Sequence, residues 1–434
     1  MPRRLSILLA IFGLAVAACT PAAEPTTTTV EGSSTVTETT PATDPPATTT
    51  EPAPSTSLTL PAGTEDLPET VRRRIAELVA LTEQLRGLTF SKAPTITVVG
   101  PDELAERVRQ DILEQVEDVA ADEALYRLLG LIEPDLDLAE TYRDLYGEQV
   151  AGFYDGDTEE LVIGGTPEEL SPLEEATLVH ELTHALTDQR FGMWDRYSEA
   201  VDGEEFDAAE AYLSLIEGDA YLTQILFAQQ LSEEDRGRLL AEAFAADTEV
   251  FDRVPGFLQE SLIFPYREGF GFVQRLYATG EFAAVDEAYG DPPVSTEQII
   301  HPRDYRRDLP VPVTIPEWDP PPGYELVYDA TWGEFGLRAM LSQQLDASTT
   351  DVAAEGWGGD RYRLWFDGRD VILVYRYEGD TVVDAEELAD ALEAYLAAAA
   401  DPGGSVTVRR EGSRLVMVAV SDPTVGDLSE VFAP

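Results

Sequence analysis

The sequence predicts an α+β protein, with a mainly helical core followed by a small C-terminal α+β domain. Two observations carry this expectation. Between residues 67 and 279, long stretches with helical hydrophobic spacing are interrupted by only three short runs of strand character. After the proline-rich stretch 309–323 the pattern changes, and two helices alternate with four strand-like segments. The composition, 44% hydrophobic and 9% aromatic, is enough for a substantial core.

In chain order, Arg3 and Arg4 precede an apolar run from Leu5 to Val16, too short for a bilayer of about 20 helical residues. The run reads as an export signal. Val16-Ala17-Ala18-Cys19 resembles a bacterial lipobox, which makes Cys19, the only cysteine, the expected lipidation site and residues 1–19 a lipoprotein signal peptide. Residues 20–60 hold fifteen threonines, many prolines and no Lys or Arg, so the stretch cannot bury enough apolar surface to order itself. Residues 20–63 are therefore expected to be a disordered stalk, spanning roughly 35–40 Å as a flexible coil. The expected placement is the extracytoplasmic face of a membrane, held by the lipidated N-terminus.

The folded body begins near residue 64. Leu67–Leu88 has Val71, Ile75, Leu78, Val79 and Leu85 on one helical face, and Thr95–Val99 is a β-branched strand. Helices are expected between Pro101 and Gly147. Val150–Tyr154 and Leu161–Ile163 read as two strands joined through Asp155-Gly156-Asp157. Ser171-Pro172-Leu173-Glu174 then starts a helix strongly: Ser as N-cap, Pro in the first turn and Glu closing a capping box. Further helices are expected at 204–230, 233–246 and 268–279. A first domain over 64–310 and a second over 324–434 follow, the latter with helices 331–345 and 385–400 and strands 362–366, 371–375, 406–409 and 415–420.

The charge excludes some functions. Lys and Arg number 29 against 83 Asp and Glu, a net charge of −54, so nucleic acid is not an expected partner and a polybasic grip on anionic lipid is ruled out.

One motif carries chemistry. His180-Glu181-Leu182-Thr183-His184 lies inside the capped helix, where residues i and i+4 are neighbours about 5–6 Å apart. Both imidazoles can reach one zinc ion, and a catalytic site leaves a coordination position for water. Glu181 is placed to take a proton from that water and to return it to a leaving amine. With three His and 83 acids in 434 residues, chance composition supplies about 0.004 such patterns, so coincidence is a poor explanation.

His180–Asp188, reading HELTHALTD, closely resembles the zinc helix of thermolysin-like metallopeptidases, the gluzincins. The resemblance implies a zincin-like metallopeptidase core in which His180 and His184 ligate zinc. It also implies a third ligand, a glutamate on a following helix, and Glu217 in Leu215-Ile216-Glu217-Gly218-Asp219-Ala220 is the candidate. Gly218 in mid-helix costs about 1 kcal/mol relative to Ala, which points to another backbone or a metal site passing close by. Asp219 lies 200° round the helix from Glu217 and is the candidate for orienting a ligand histidine. The alternative is that Glu210, Glu217 and Asp219 are ordinary surface acids. Ile216 and Tyr221 stand where thermolysin-like enzymes have Asn and Asp, and Glu-Gly-x-Ala looks more like other gluzincins, including aminopeptidases and bacterial lipoprotein peptidases.

Three weaker expectations complete the reading. Val150–Tyr154 precedes the zinc helix as gluzincin edge strands do, and could pair with extended substrate. His301 and Tyr266 are candidates for stabilising an oxyanion opposite zinc. Gly356-Trp357-Gly358-Gly359-Asp360 reads as a structural turn. The function expected is a membrane-tethered zinc peptidase acting on peptide or protein substrates. The alternatives are a non-catalytic zinc-binding envelope lipoprotein on the same scaffold and a hydrolase of non-peptide envelope amides. Nothing in the sequence reads out a side-chain preference.

Overall fold

The computed structural model describes residues 7–11, 61–115, 119–166, 168–245, 248–399 and 404–434. Cys19 with its lipobox and the stretch 20–60 lie outside these residues. The fold is α+β, with two sheets and a helical body. The first sheet contains β1 (Ile7–Ile11), β2 (Thr95–Val99), β3 (Val150–Asp155) and β4 (Glu160–Gly164) in the order β1-β3-β4-β2. β3 and β4 form the expected antiparallel pair, Phe153 opposite Val162, and β2 runs parallel to β4. β1, which falls in the apolar run before Cys19, lies antiparallel along the other edge of β3.

The helices before the motif are α1 (Glu69–Arg86), α2 (Pro101–Gln115), α3 (Val119–Leu128) and α4 (Leu138–Gln149). α5 (Pro172–Phe191) starts as the sequence predicts: Ser171 and Glu174 make both bonds of the capping box, and Gly192, left-handed at φ 64°, ends it. Every residue from Ala176 to Thr187 is buried. The helix therefore has no wet face, and its polar residues satisfy themselves locally, Thr183 donating to Val179 O at 2.8 Å and Thr187 to Thr183 O at 2.9 Å.

Two expected elements differ, and one helix has no counterpart in the sequence reading: α6 (Met193–Asp202) ends before Glu204, whose φ of 58° breaks the chain direction, and α7 (Phe206–Gln230) follows as the helix expected over 204–230. The helix anticipated over 268–279 is the middle of a 35-residue segment. After α8 (Glu233–Phe244) and α9 (Glu249–Arg253), α10 (Gly256–Gly290) runs through Pro265 and is kinked at Gly280 and Glu281. Pro265 and the nearby glycines look like breakers locally, but packing against α7 holds the segment helical. Gly356–Asp360 is not a turn: only Gly356 has a positive φ, 82°, and Trp357 begins a strand with a bulge before Gly359.

α7 and α10 meet backbone to backbone. A Cβ on Gly218 would lie 2.2 Å from Gly269 O, and one on Gly269 would lie 2.1 Å from Ser214 O. The mid-helix glycine expected to mark a close approach does so.

After α11 (Thr296–Ile300) and the strap 309–323, the second sheet is all antiparallel in the order β5-β6-β7-β9-β8: β5 (Glu325–Ala330), β6 (Trp357–Phe366), β7 (Val371–Gly379), β8 (Ser405–Glu411) and β9 (Arg414–Val420). It is accompanied by α12 (Gly333–Leu341), α13 (Ala347–Ala354) and α14 (Val382–Ala398). Val99, Phe153 and Val162 of the first sheet share one buried cluster with Tyr328, Trp357, Leu373 and Met417 of the second. The C-terminal segment thus completes the body's core.

Gly218→Ala should improve local helix propensity by about 1 kcal/mol, yet destabilise the protein by about 1–3 kcal/mol through overpacking against α10. Denaturant unfolding checks this, with a net gain in stability as the contrary result.

Candidate metal centre

α5 carries His180, Glu181 and His184 into the interior, and α7 brings Glu217 across to them. Glu217 Oε2 lies 3.0 Å from His180 Nε2 and 3.5 Å from His184 Nε2. Three donor atoms, one per residue, fall within 4.8 Å of one another, and all three residues are buried. The imidazoles meet edge to face at 4.7 Å. Tyr266 of α10 stacks beside His180 at 6.2 Å and 27°. Glu181, adjacent to the first imidazole, is fully buried.

The electrostatics favour a cation. Burial pushes the His180 pKa down, so this imidazole is held neutral, as a metal ligand must be. Burial alone would raise the Glu217 carboxyl, but the two imidazoles outweigh it and hold the group ionised, well below the usual range. Both ring nitrogens of the fully buried His184 lack a hydrogen-bond partner among the described residues. Leaving such a buried group unsatisfied costs about 1–3 kcal/mol, and a metal ion held between Nε2 and Glu217 would satisfy one of the two nitrogens. Two nitrogens and a carboxylate match zinc. A second cluster, Glu297, Asp308 and Asp380, offers oxygen alone and so lacks the nitrogen donors zinc favours.

Asp219 and His301 do not stand where the sequence reading put them. Asp219 turns away from the histidines and binds Arg86 at 2.8 Å and the Tyr289 hydroxyl at 3.0 Å. Arg86 also reaches the partly exposed Asp286 at 2.6 Å, so the fully buried guanidinium ties α1 to α7 and α10. The 200° offset from Glu217 explains the outcome, since Asp219 faces α1 when Glu217 faces α5. The side chain that meets His180 is Glu217 itself, at 3.0 Å, while Gln224, two turns after Glu217, donates to Ala176 O of the motif helix at 3.2 Å. That spacing was readable in the sequence, but many polar residues share it.

His301, at the end of the one-turn helix α11, pairs with the buried Glu334 of α12 at 3.1 Å, and Arg338 shares that carboxylate at 2.6 Å. It is not among the residues lining the cavity on which Glu217 opens, and its imidazole is taken up by Glu334. Tyr266 does line that cavity.

The cavity has a volume of about 250 Å³ and lies between α3, α4, α7, α10 and α12. Glu210 lines it seven residues before Glu217. It is neither a surface acid nor part of the ligand set, and burial, reinforced by Asp207, raises its pKa to about 8.

Two outcomes are expected. The purified chain should bind a single zinc ion, and Glu217→Ala should lose most of it by mass-spectrometric metal analysis. Metal retained in that variant would move the third ligand elsewhere. His301 has a pKa raised by its bond to Glu334, so its stabilisation is complete below the unfolded value near 6.5. That contribution disappears as pH rises through the higher folded value. His301→Gln should therefore cost stability at pH 6 and little at pH 9 in thermal unfolding, while leaving zinc content unchanged.

Residues 325–432 match the family model of a domain of unknown function, DUF8575. No curated protein and no solved structure matches the chain.

Proposed function

We propose that this chain is a zinc-dependent peptidase with a zincin-like core, exported and held at the outer face of a membrane by a lipid on Cys19. The observation that carries the reading is the buried convergence of His180, His184 and Glu217 beside Glu181. Among the described residues no helix is long and apolar enough to cross a membrane.

Zinc in this triad would lower the pKa of a water and polarise a substrate carbonyl. Glu181 accepts the proton of the attacking water and passes it to the leaving amine, which is the use for a carboxylate one residue from a ligand. Tyr266, beside His180 on the cavity wall, presents its hydroxyl to the oxyanion that develops on the carbonyl. Glu217 holds the His180 ring at 3.0 Å, so the donor set is preorganised. β3 offers the edge along which an extended peptide would align, the same edge that β1 covers here. Removal of the leader on export frees it.

The depth of burial favours one other reading. With His180, Glu181, His184 and Glu217 all at most 2% exposed, a non-catalytic zinc-binding lipoprotein would look the same from outside. Glu181 separates the two, because a structural ion has no use for a base there.

Glu181→Gln should keep the metal and lose hydrolysis of a mixed fluorogenic peptide set by about 10²–10⁴-fold. Tyr266→Phe should lower kcat by about 10²-fold with the metal retained. Turnover undiminished in Glu181→Gln sinks the mechanism; absence of turnover in the native, zinc-loaded chain moves the assignment to the binding protein.

A further inference from the structure

The cavity beside the metal centre is lined by four carboxylates, Asp122, Asp207, Glu210 and Glu217, and by no Lys, Arg or His. Three of the acids are engaged by the protein. Glu217 faces the imidazoles, Asp207 accepts from Thr296 N at 3.0 Å and its hydroxyl at 2.5 Å, and Asp122 accepts from the Tyr328 hydroxyl at 3.3 Å. Glu210 differs. It is 8% exposed, and its Oε1 has no hydrogen-bond partner among the described residues. A group so buried ordinarily has a partner, so the missing one belongs to something that enters the cavity.

The walls say what enters. Tyr126, Tyr142, Tyr197, Phe257, Trp332 and Tyr362 surround the space with aromatic rings, whose faces attract cations. Burial keeps the Glu210 carboxyl largely protonated near neutral pH while the cavity is empty, and an entering cation favours its ionised form, because a charge pair at low dielectric attracts far more strongly than in water. One water occupies about 10–15 Å³ of such space, so 250 Å³ admits a long side chain.

We propose that this cavity is the specificity pocket of the hydrolytic site and receives a basic side chain, Lys or Arg, of a peptide substrate. Glu210 pairs with the cationic head and the aromatic walls hold the stem. The assignment rests on the peptidase reading given above. Its dimensions agree with it. Glu210 and Glu217 are seven residues apart on α7, about 10.5 Å of helical rise. A residue beside the scissile bond advances the backbone by about 3.5 Å, and the five bonds of a lysine stem extend roughly 6 Å further. A chain fixed by its carbonyl at the metal centre therefore brings the head to Glu210. A shorter apolar side chain leaves that carboxylate unpaired, and an acidic one faces four carboxylates, so both are disfavoured.

The test separates the pocket from the chemistry. n-Pentylamine and 1-pentanol would be titrated calorimetrically into the full zinc-loaded chain, native and Glu210→Gln, with metal content as the check on folding. The amine should bind at least about tenfold more tightly than the alcohol, and Glu210→Gln should remove that preference. In parallel, peptides differing only in Lys, norleucine or Glu at each position would be assayed for cleavage, and a Lys position should raise kcat/KM at least about tenfold. Equal binding of amine and alcohol, or amine binding indifferent to Glu210→Gln, overturns the pocket whether or not peptides are cleaved. Cleavage without preference for the basic residue overturns its role in specificity. Glu210-dependent amine binding with no peptide cleaved leaves the cation pocket standing and removes the peptidase reading instead.

Discussion

The backbone contact of α7 with α10 is the constraint on which the centre depends. Gly218 and Gly269 let the helices approach until each lacks room for a methyl group. From that contact α7 sends Glu217 toward α5, Asp219 toward Arg86 and Glu210 into the cavity, while α10 supplies Pro265, Tyr266 and Phe257 to the wall. A separation wider by one methyl would shift Glu217 and Tyr266 together, and a buried site of this kind tolerates little of either.

Charge is handled differently inside and out. The chain has 83 acidic residues, and most stand in water, where like charges are screened. Glu210 apart, several of the buried ones take partners of distinct kinds. Asp219 takes an arginine, Asp207 a threonine, and Asp360 the amides of Trp332 and Gly333 with the Trp357 indole. Glu217 takes two imidazoles and, in the reading proposed here, zinc. Desolvation would otherwise neutralise these groups, and the raised pKa of Asp360, about 6, shows how near that outcome lies even with these three donors and the Tyr375 hydroxyl around it.

What was legible in the sequence was local. The capping box at Ser171, the spacing of His180 and His184, the β3–β4 pair and the close approach at Gly218 each depend on residues a few positions apart, and the structure has them where they were expected. What was not legible depends on contacts distant along the chain. The cavity draws on residues from Asp122 to Leu373, and no window of sequence contains it. Asp219 was read by its nearness to Glu217, yet its partner Arg86 is 133 residues away. Local propensity marks only the middle of α10 because the packing against α7 lies outside any window, and Trp357 resembles part of a turn because its glycine neighbours dominate the local pattern. The zincin-like core, the lipid on Cys19 and catalysis itself remain proposals grounded in the motif and the geometry.

The shared core has a consequence for how the chain behaves as an object. The strap 309–323 joins the helical body to the C-terminal sheet along the surface, and it is the natural place for a protease to nick the chain. A nick there would not release two fragments. Val99, Phe153 and Val162 on one side and Trp357, Leu373 and Met417 on the other lie in a single buried cluster, and Trp332, Phe335 and Tyr362 of the later segment wall the cavity. Cut in two, the molecule would remain a non-covalent complex, and the region matching DUF8575 is better understood as half of a folding unit than as an appendage with its own fate.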